Sequence, residues 1–290
     1  MVVALDFTPN AAHAPIFTAV RKGLDRKHGV RIVIRAPGSA PDTLKLLAAG
    51  RVDIGVLDIQ DLGLARERGA DLVGIAGLVQ RPLGALITQA DVHRPRDLEG
   101  RRVGVSGLPS DPAFVRAIVE HDGGRFDRLK LVTIGFDAVP NLLEHNIDAV
   151  PAFWNAEGVA LRLRGARINE FRADAYGAPR YPEVLLIAAR RTLQRRRAAV
   201  VNALRAIRDG ALSVLSDPAP AVKQISAAGG ADEKLVRAQL AAVAPAFRPP
   251  LALDRGALGR WANWAARIGI LHRPPDIGRA FVFDLLGGTR

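Results

Sequence analysis

Apolar and polar positions along this chain switch repeatedly between strand and helix periodicity. Val2 to Leu5 is a short apolar run of the kind a buried strand presents. The pattern breaks at Pro9 and resumes as a helix through Phe17, Ala19, Val20 and Leu24. Val30 to Ile34 is a β-branched run, and Gly38-Ser39-Ala40-Pro41-Asp42 introduces a helix with Leu44, Leu46, Leu47 and Ala48 facing inward. Strands follow at Asp53 to Leu57, Leu72 to Ala76 and Leu83 to Thr88, with a helix from Gln60 to Arg68 after the first. The segment Asp91 to Leu98 reads as a connector.

A second unit begins at Arg102 to Val105, a strand, followed by a tight loop from Ser106 to Ser110. The helix Pro112 to His121 carries proline at its first position, with Asp111 as its N-cap. Leu129 to Ile134 and Asp148 to Phe153 are strands flanking a helix at Val139 to His145, and Val184 to Ala188 leads the chain back. From Thr192 the pattern is strongly helical, at Arg196 to Ser216, Pro218 to Ala228, Asp232 to Ala242 and Asp254 to Ile268. This alternation predicts an α/β fold with a largely parallel sheet. A chain that leaves one unit near residue 90 and returns near 188 predicts two lobes joined by two crossovers. Residues 1–89 and the mostly helical 189–290 form lobe one, and residues 90–188 form lobe two. A ligand cleft lies between such lobes, which commonly close by hinge motion.

Composition narrows the function. No run approaches the roughly 18 apolar residues of a membrane span. The chain has no cysteine, which excludes disulfides, thiolate catalysis and cysteine-ligated metal sites. The net charge of +12 invites a nucleic-acid reading, but arginines are spread along the whole chain. The one dense cluster, Arg190 to Arg197, precedes a helix and has no aromatic stacking platform, so it reads as a solvated helix face. The six histidines form no H-x-x-x-H or H-E-x-x-H arrangement, and no G-x-S-x-G elbow occurs. No catalytic residue, metal or cofactor is expected.

Strand ends hold the candidate chemistry, as they do in open α/β sheets. Asp6, Phe7, Asn10 and His13 sit where the first strand hands over to the first helix, an aromatic ring beside amide, imidazole and carboxylate groups. Phe153, Trp154 and Glu157 hold the same position in lobe two. Stacking surface plus a carboxylate acceptor suits a flat, donor-bearing heterocycle. The other reading makes Phe153 and Trp154 core and Glu157 a solvent-facing helix start. Tyr176 and Tyr181 lie in a loop before the return crossover, either as part of a cleft wall or packed on the lobe surface. Ser106 lies in a strand-to-helix turn whose free N–H groups suit an anion or polar substituent.

L-D-F-T-P-N-x-x-H at Leu5 to His13 resembles the L-D-W-x-P-N-x-x-H opening of thiamine-pyrimidine-precursor binding proteins. These are substrate-binding components of ABC importers with the type II periplasmic-binding-protein fold. F-W-N-x-E-G at Phe153 to Gly158 and Y-G-A-P-x-Y-P-E at Tyr176 to Glu183 resemble two further segments of that family. Gly50 to Val56 and Leu78 to Leu83 add to a resemblance that runs in matching order over residues 2 to 225. It implies a ligand such as a formylated aminopyrimidine in the interlobe cleft. The matching contacts are Asp6, Phe7, Asn10, His13, Phe153 and Glu157, with Tyr176 beside them. Phe7 replaces the usual tryptophan and Phe153 stands where tyrosine is common; both keep stacking surface and remove a polar handle. Trp154 and Ser106 complete the candidate set.

The resemblance further implies a permease partner, a monomer, no nucleic acid, and an extracytoplasmic location with the export signal removed. Relatives with a similar opening bind riboflavin, and more distant ones nitrate, taurine or alkanesulfonates. Those ligands are the alternatives, together with a cytoplasmic enzyme or sensor on the same fold. The fungal pyrimidine-precursor synthases also share the fold and use a lysine, a sacrificial histidine and a cysteine-rich iron motif. Leu57 aligns with that lysine and Asp61 with that histidine, and the chain has no cysteine. The sequence therefore reads as a binding protein and not an enzyme.

Overall fold

The computed structural model describes residues 1–39 and 41–287, and ten strands within them divide between two five-stranded sheets. The chain first lays down β1 (Val2–Ala4), β2 (Val33–Arg35), β3 (Ile54–Asp58) and β4 (Leu72–Val79). It then builds β5 (Gly84–Gln89), β6 (Arg102–Val105), β7 (Lys130–Thr133), β8 (Ala149–Phe153) and β9 (Ile168–Arg172), and returns as β10 (Val184–Ala189). The sheet orders are β2-β1-β3-β10-β4 and β7-β6-β8-β5-β9. Helices α1 (Ala14–Arg21), α2 (Leu24–Lys27), α3 (Asp42–Ala49) and α4 (Ile59–Glu67) belong to the first sheet's lobe. Lobe two carries α5 (Ser110–His121), α6 (Ala138–Leu143) and α7 (Val159–Leu163). The last part of the chain is α8 (Arg190–Ser216), α9 (Ala219–Gly229), α10 (Glu233–Val243), α11 (Arg255–Arg267) and α12 (Ile277–Ala280). None of these helices is long and apolar enough to cross a membrane.

Strands β4 and β10 are buried at every position, because both faces of the first sheet are covered. Along β10, Val184, Leu186 and Ala188 face one core with α1 and α8, while Leu185, Ile187 and Ala189 face a second with Trp261 and Trp264 of α11. Gly210 of α8 lies against the Pro15 carbonyl and 3.0 Å (from its would-be Cβ) to the Ala19 nitrogen, so only glycine lets α1 and α8 approach so closely.

The sheets are mixed, not largely parallel as the alternation predicts. β1 runs parallel to β2 and β3, but β10 is antiparallel to both β3 and β4. β5 is likewise antiparallel to β8 and β9. The reason lies in the crossovers. β10 enters from lobe two beside the C-terminal end of β3, Val184 opposite Asp58, and from there it can only run back.

Three local expectations also need correction. Ala48 is exposed; α3 turns Thr43 and Leu47 inward, one helical turn apart, and Thr43 Oγ1 donates to the Leu5 carbonyl at 2.5 Å. Ala40, just before this helix, lies outside the described residues. The arginine cluster opens α8 instead of preceding it, and the helix breaks at Arg196 (φ −135°, ψ 27°). Four of the cluster's five guanidinium groups, though solvated, pair within the protein: Arg190 with Asp71 (3.1 Å), Arg191 with the Ala48 carbonyl (2.8 Å), Arg196 with Asp53 (2.5 Å) and Arg197 with Asp284 (2.8 Å). α5 starts at Ser110, so Asp111 falls in its first turn and is not its N-cap.

Two segments cross between the sheets, residues 80–83 outward and 173–183 on return. Glu183 ties them together. Its buried Oε2 accepts the N–H groups of Leu83 (2.7 Å) and Gly84 (3.2 Å), so a carboxylate on one crossover closes the orphan donors of the other. Tyr181, Gln60 and Trp261 extend the network: Gln60 Nε2 donates to the Tyr181 hydroxyl at 3.2 Å, and Trp261 Nε1 donates to Gln60 Oε1 at 2.9 Å. Glu183→Ala should cost roughly 2–3 kcal/mol by leaving two buried N–H groups unpaired, whereas Glu183→Gln keeps an acceptor and should cost distinctly less. Urea unfolding of both variants measures this, and equal losses would show that Glu183 acts through bulk alone.

Candidate functional site

The C-terminal ends of β1, β3, β6 and β8 converge at the junction of the two sheets, where the strand order reverses around them. A cavity of about 120 Å³ lies there, with walls from both lobes. Lobe one supplies Asp6, Phe7, Asn10, Ala12, Leu57, Asp58 and Asp61. Lobe two supplies Ser106, Ser110, Asp111, Phe136, Phe153 and Glu157, among others. Six of the nine sequence candidates thus share one cavity: Asp6, Phe7, Asn10, Ser106, Phe153 and Glu157.

The first-lobe loop is self-supporting. Asn10 caps a short 3₁₀ turn, Ala11–His13, its Oδ1 accepting from the Ala12 N–H at 2.9 Å. His13 Nδ1 accepts the Asn10 N–H at 3.2 Å, which leaves the proton on Nε2 to donate to Asp6 Oδ1 at 2.7 Å. His13 is fully buried and outside the cavity lining; it orients the Asp6 carboxylate from behind. In lobe two, β8 ends in a π-helical turn, Trp154–Gly158, a local irregularity that re-aims side chains. The turn folds Glu157 back so that Oε2 accepts the Phe153 N–H at 3.0 Å.

Trp154 and Tyr176 do not reach the cavity. Trp154 Nε1 donates to the Pro82 carbonyl at 3.2 Å, and the Arg172 guanidinium sits 4.5 Å from its ring centre, so it braces the outward crossover. Tyr176 packs edge-on against His121 with centroids 5.4 Å apart, and burial pushes its hydroxyl up to about 12. One residue down the π turn, and one loop away on the return crossover, the aromatic surface goes to packing.

Phe136 lines the cavity too, at a position no motif marks. It lies beyond the end of β7, where Gly135 at φ +58° makes a left-handed step that a side chain would strain. Its ring meets Phe7 across the lobe junction, centroids 4.4 Å apart at 66°. Asp58 and Asp61 were missed as site residues as well. Asp58 follows the same strand-end logic as Asp6, ending β3 and capping α4 by accepting the Gln60 N–H at 2.7 Å.

Five carboxyl groups therefore line the cavity, Asp6, Asp58, Asp61, Asp111 and Glu157, and among the described residues no lysine, arginine or histidine does. Burial pushes Asp61 up to about 7; Asp111 and Asp6 add to the shift, while Ser110 across the cleft opposes it. Burial raises Asp111 to about 6 against the pull of Ser106, whose N–H and hydroxyl it accepts at 2.5 and 2.6 Å. Burial also raises Glu157, and it raises Asp58 further with the help of the Glu183 and Asp61 charges. Among the described residues, no three such groups are arranged to hold a metal ion.

Two α/β sheets, two crossovers and a cavity at their junction define the two-lobed fold of type II periplasmic binding proteins. Over 98% of its length the chain superposes on 98% of the alkanesulfonate-binding protein SsuA from Xanthomonas axonopodis pv. citri, TM-score 0.75 at 16% identity, a likeness of fold. Residues 10–221 match the family described as NMT1/THI5 like, and the chain belongs to that family. It is 30% identical over 189 residues to the formylaminopyrimidine-binding protein of Halalkalibacterium halodurans, a match covering 64% of this chain and 57% of that one. It is 25% identical over 233 residues to the 4-amino-5-hydroxymethyl-2-methylpyrimidine phosphate synthase THI11 of Saccharomyces cerevisiae, covering 76% of this chain and 68% of that one.

The raised carboxyls carry a pH signature. With folded values of about 7 for Asp61 and about 6 for Asp111, above the 3.8 of an ordinary aspartate, the folded state binds more protons in that interval. Stability is fully present below the unfolded value and falls as pH rises through the folded ones. Denaturant melts should show a decline from about pH 4 to about pH 7, and Asp61→Asn should flatten it and gain on the order of 3 kcal/mol above that window. A flat wild-type profile would refute the burial of these acids.

Proposed function

We propose that this chain is the solute-binding component of an ABC importer and takes a pyrimidine-type thiamine precursor in the interlobe cavity. The observation that carries this reading is the lining: three phenylalanine rings and five carboxyl groups with no cationic side chain among the described residues. Carboxylates accept hydrogen bonds from amino groups and protonated ring nitrogens, and the rings offer faces for a flat heterocycle. The same lining repels sulfonate and nitrate, which call for cationic or N–H donor clamps. Size argues in the same direction. A cavity of roughly 150 Å³ holds a single benzene ring in a known case. The 120 Å³ here is on the scale of a single ring and short of the three fused rings of riboflavin. The named relative that binds formylaminopyrimidine supports the ligand class.

Asp6, Asn10 and Glu157 hold the amino and ring nitrogens in this reading, and Phe7, Phe136 and Phe153 bound the ring. Binding without chemistry is favoured over the synthase activity of the fungal relatives. Leu57 and Asp61, aligned with the lysine and histidine of that family, both line the cavity and offer neither an amine nor an imidazole. Delivery to a membrane permease from an extracytoplasmic position follows from the importer role.

A thermal-shift series with formylated and free aminopyrimidines, thiamine, riboflavin, taurine and nitrate tests the assignment. A ligand at about 100 times its Kd adds roughly 2.7 kcal/mol of stability, enough for a visible rise in Tm. The pyrimidines should raise Tm and the anions should not. Glu157→Ala should weaken pyrimidine binding about tenfold or more, since a hydrogen bond to a charged group contributes roughly 1.5–3 kcal/mol. A response to taurine or nitrate in place of the pyrimidines would overturn the reading.

A further inference from the structure

Four of the five cavity carboxyls already have protein donors. Asp6 takes His13, Asp58 takes the Gln60 N–H, Asp111 takes Ser106, and Glu157 takes the Phe153 N–H. Asp61 is different. It is 2% exposed, and its Oδ1 has no hydrogen-bond partner among the described residues. It lies in the first turn of α4 on the cavity wall, facing Ser110 and Asp111 of lobe two. A buried carboxyl oxygen without a donor is unfavourable, and with further acids around it the missing partner is a positively charged donor. The carboxyls do not converge as metal ligands among the described residues, so the guest is organic.

We infer that the ligand enters as a cation, its protonated alkylamine seated on Asp61 with Asp111 beside it. The inference rests on the pyrimidine reading and sharpens it: the preferred guest is a one-ring heterocycle bearing a free aminomethyl group, not its acylated form. Acylation removes the positive charge and leaves one N–H where the ammonium has three. The free amine is an ammonium at neutral pH, as a lysine side chain is, and brings three N–H donors to a wall that has a free acceptor.

Calorimetric titration of the intact chain at neutral pH with 4-amino-5-aminomethyl-2-methylpyrimidine and with its N-formyl derivative tests this. The free amine should bind roughly ten- to a hundredfold more tightly, the range expected for a hydrogen bond to a charged group. Asp61→Asn should erase most of that preference, read as the ratio of the two affinities. The wild-type comparison needs no variant, and Asp111→Asn, which keeps an acceptor for Ser106, should narrow the preference by a smaller factor. Equal affinities, or tighter binding of the formyl derivative, would overturn the cationic seat and leave the pyrimidine reading standing. A folded Asp61→Asn protein that kept the whole preference would remove Asp61 as the seat. Failure of both compounds to bind would sink this inference and the pyrimidine reading together.

Discussion

Everything at the site depends on the bonds that Glu183 makes between the two crossovers. Leu83 and Gly84 leave lobe one at the point where no sheet partner takes their N–H groups, and the Glu183 carboxylate accepts both from the returning strand. The bond sits in a buried network with Tyr181, Gln60 and Trp261, so the junction is fixed at one point while the lobes extend on either side. A fixed junction of this kind lets small rotations change the cavity's width without changing which strand ends face it. Asp58 adjoins the same network and lines the cavity, which couples the walls of the site to the pivot itself.

The site is built from one device used several times: a strand end followed by a helical turn whose first residues face the cleft. Asp6 and Asn10 follow β1, Asp58 and Asp61 follow β3, Ser106 and Asp111 follow β6, and Phe153 and Glu157 follow β8. Helix starts ordinarily favour nearby acids, because unpaired N–H groups carry partial positive charge there. Repetition around a shared centre turns that local preference into a collective field, in which each acid makes its neighbours harder to ionise. An anion entering this field meets repulsion from every wall, while a donor-rich or cationic guest relieves it.

How much of this was readable in the residues follows from the same device. The two-lobed α/β arrangement and the strand-end positions of Asp6, Phe7, Asn10, Phe153 and Glu157 follow from periodicity and breaks at proline. Phe136 was not legible, because its approach to Phe7 depends on how the lobes meet and on one left-handed glycine. Trp154 misled because the turn after β8 is π-helical; one position of register separates a wall residue from a brace beneath Pro82. Tyr176 misled because a loop beside a hinge can face either the cleft or the body of a lobe, and its partners, His121 and the buried Trp264, lie away from the cleft. His13 carries the clearest motif yet serves from behind, since only its partner Asp6 reaches the cavity. Asp61 stood out only as the counterpart of the synthases' histidine, and its place on the cavity wall shows only in three dimensions.

The position of β10 has a consequence for how the chain acquires its shape. This strand lies between β3 and β4, so the first sheet has a gap in its middle until residues 184–189 arrive. Everything from β5 to β9 must be synthesised before that gap can be filled. Lobe two is spliced into lobe one and can reach its own sheet order earlier, while the lobe that the ribosome makes first completes its core later. Pairings between strands so far apart in sequence are slow to form, and until they form β3 and β4 each present an unpaired, largely apolar edge. Emergence from the ribosome or a translocon is therefore the stage at which this protein is most open to aggregation, and a factor that shields β3 and β4 until β10 docks would act there.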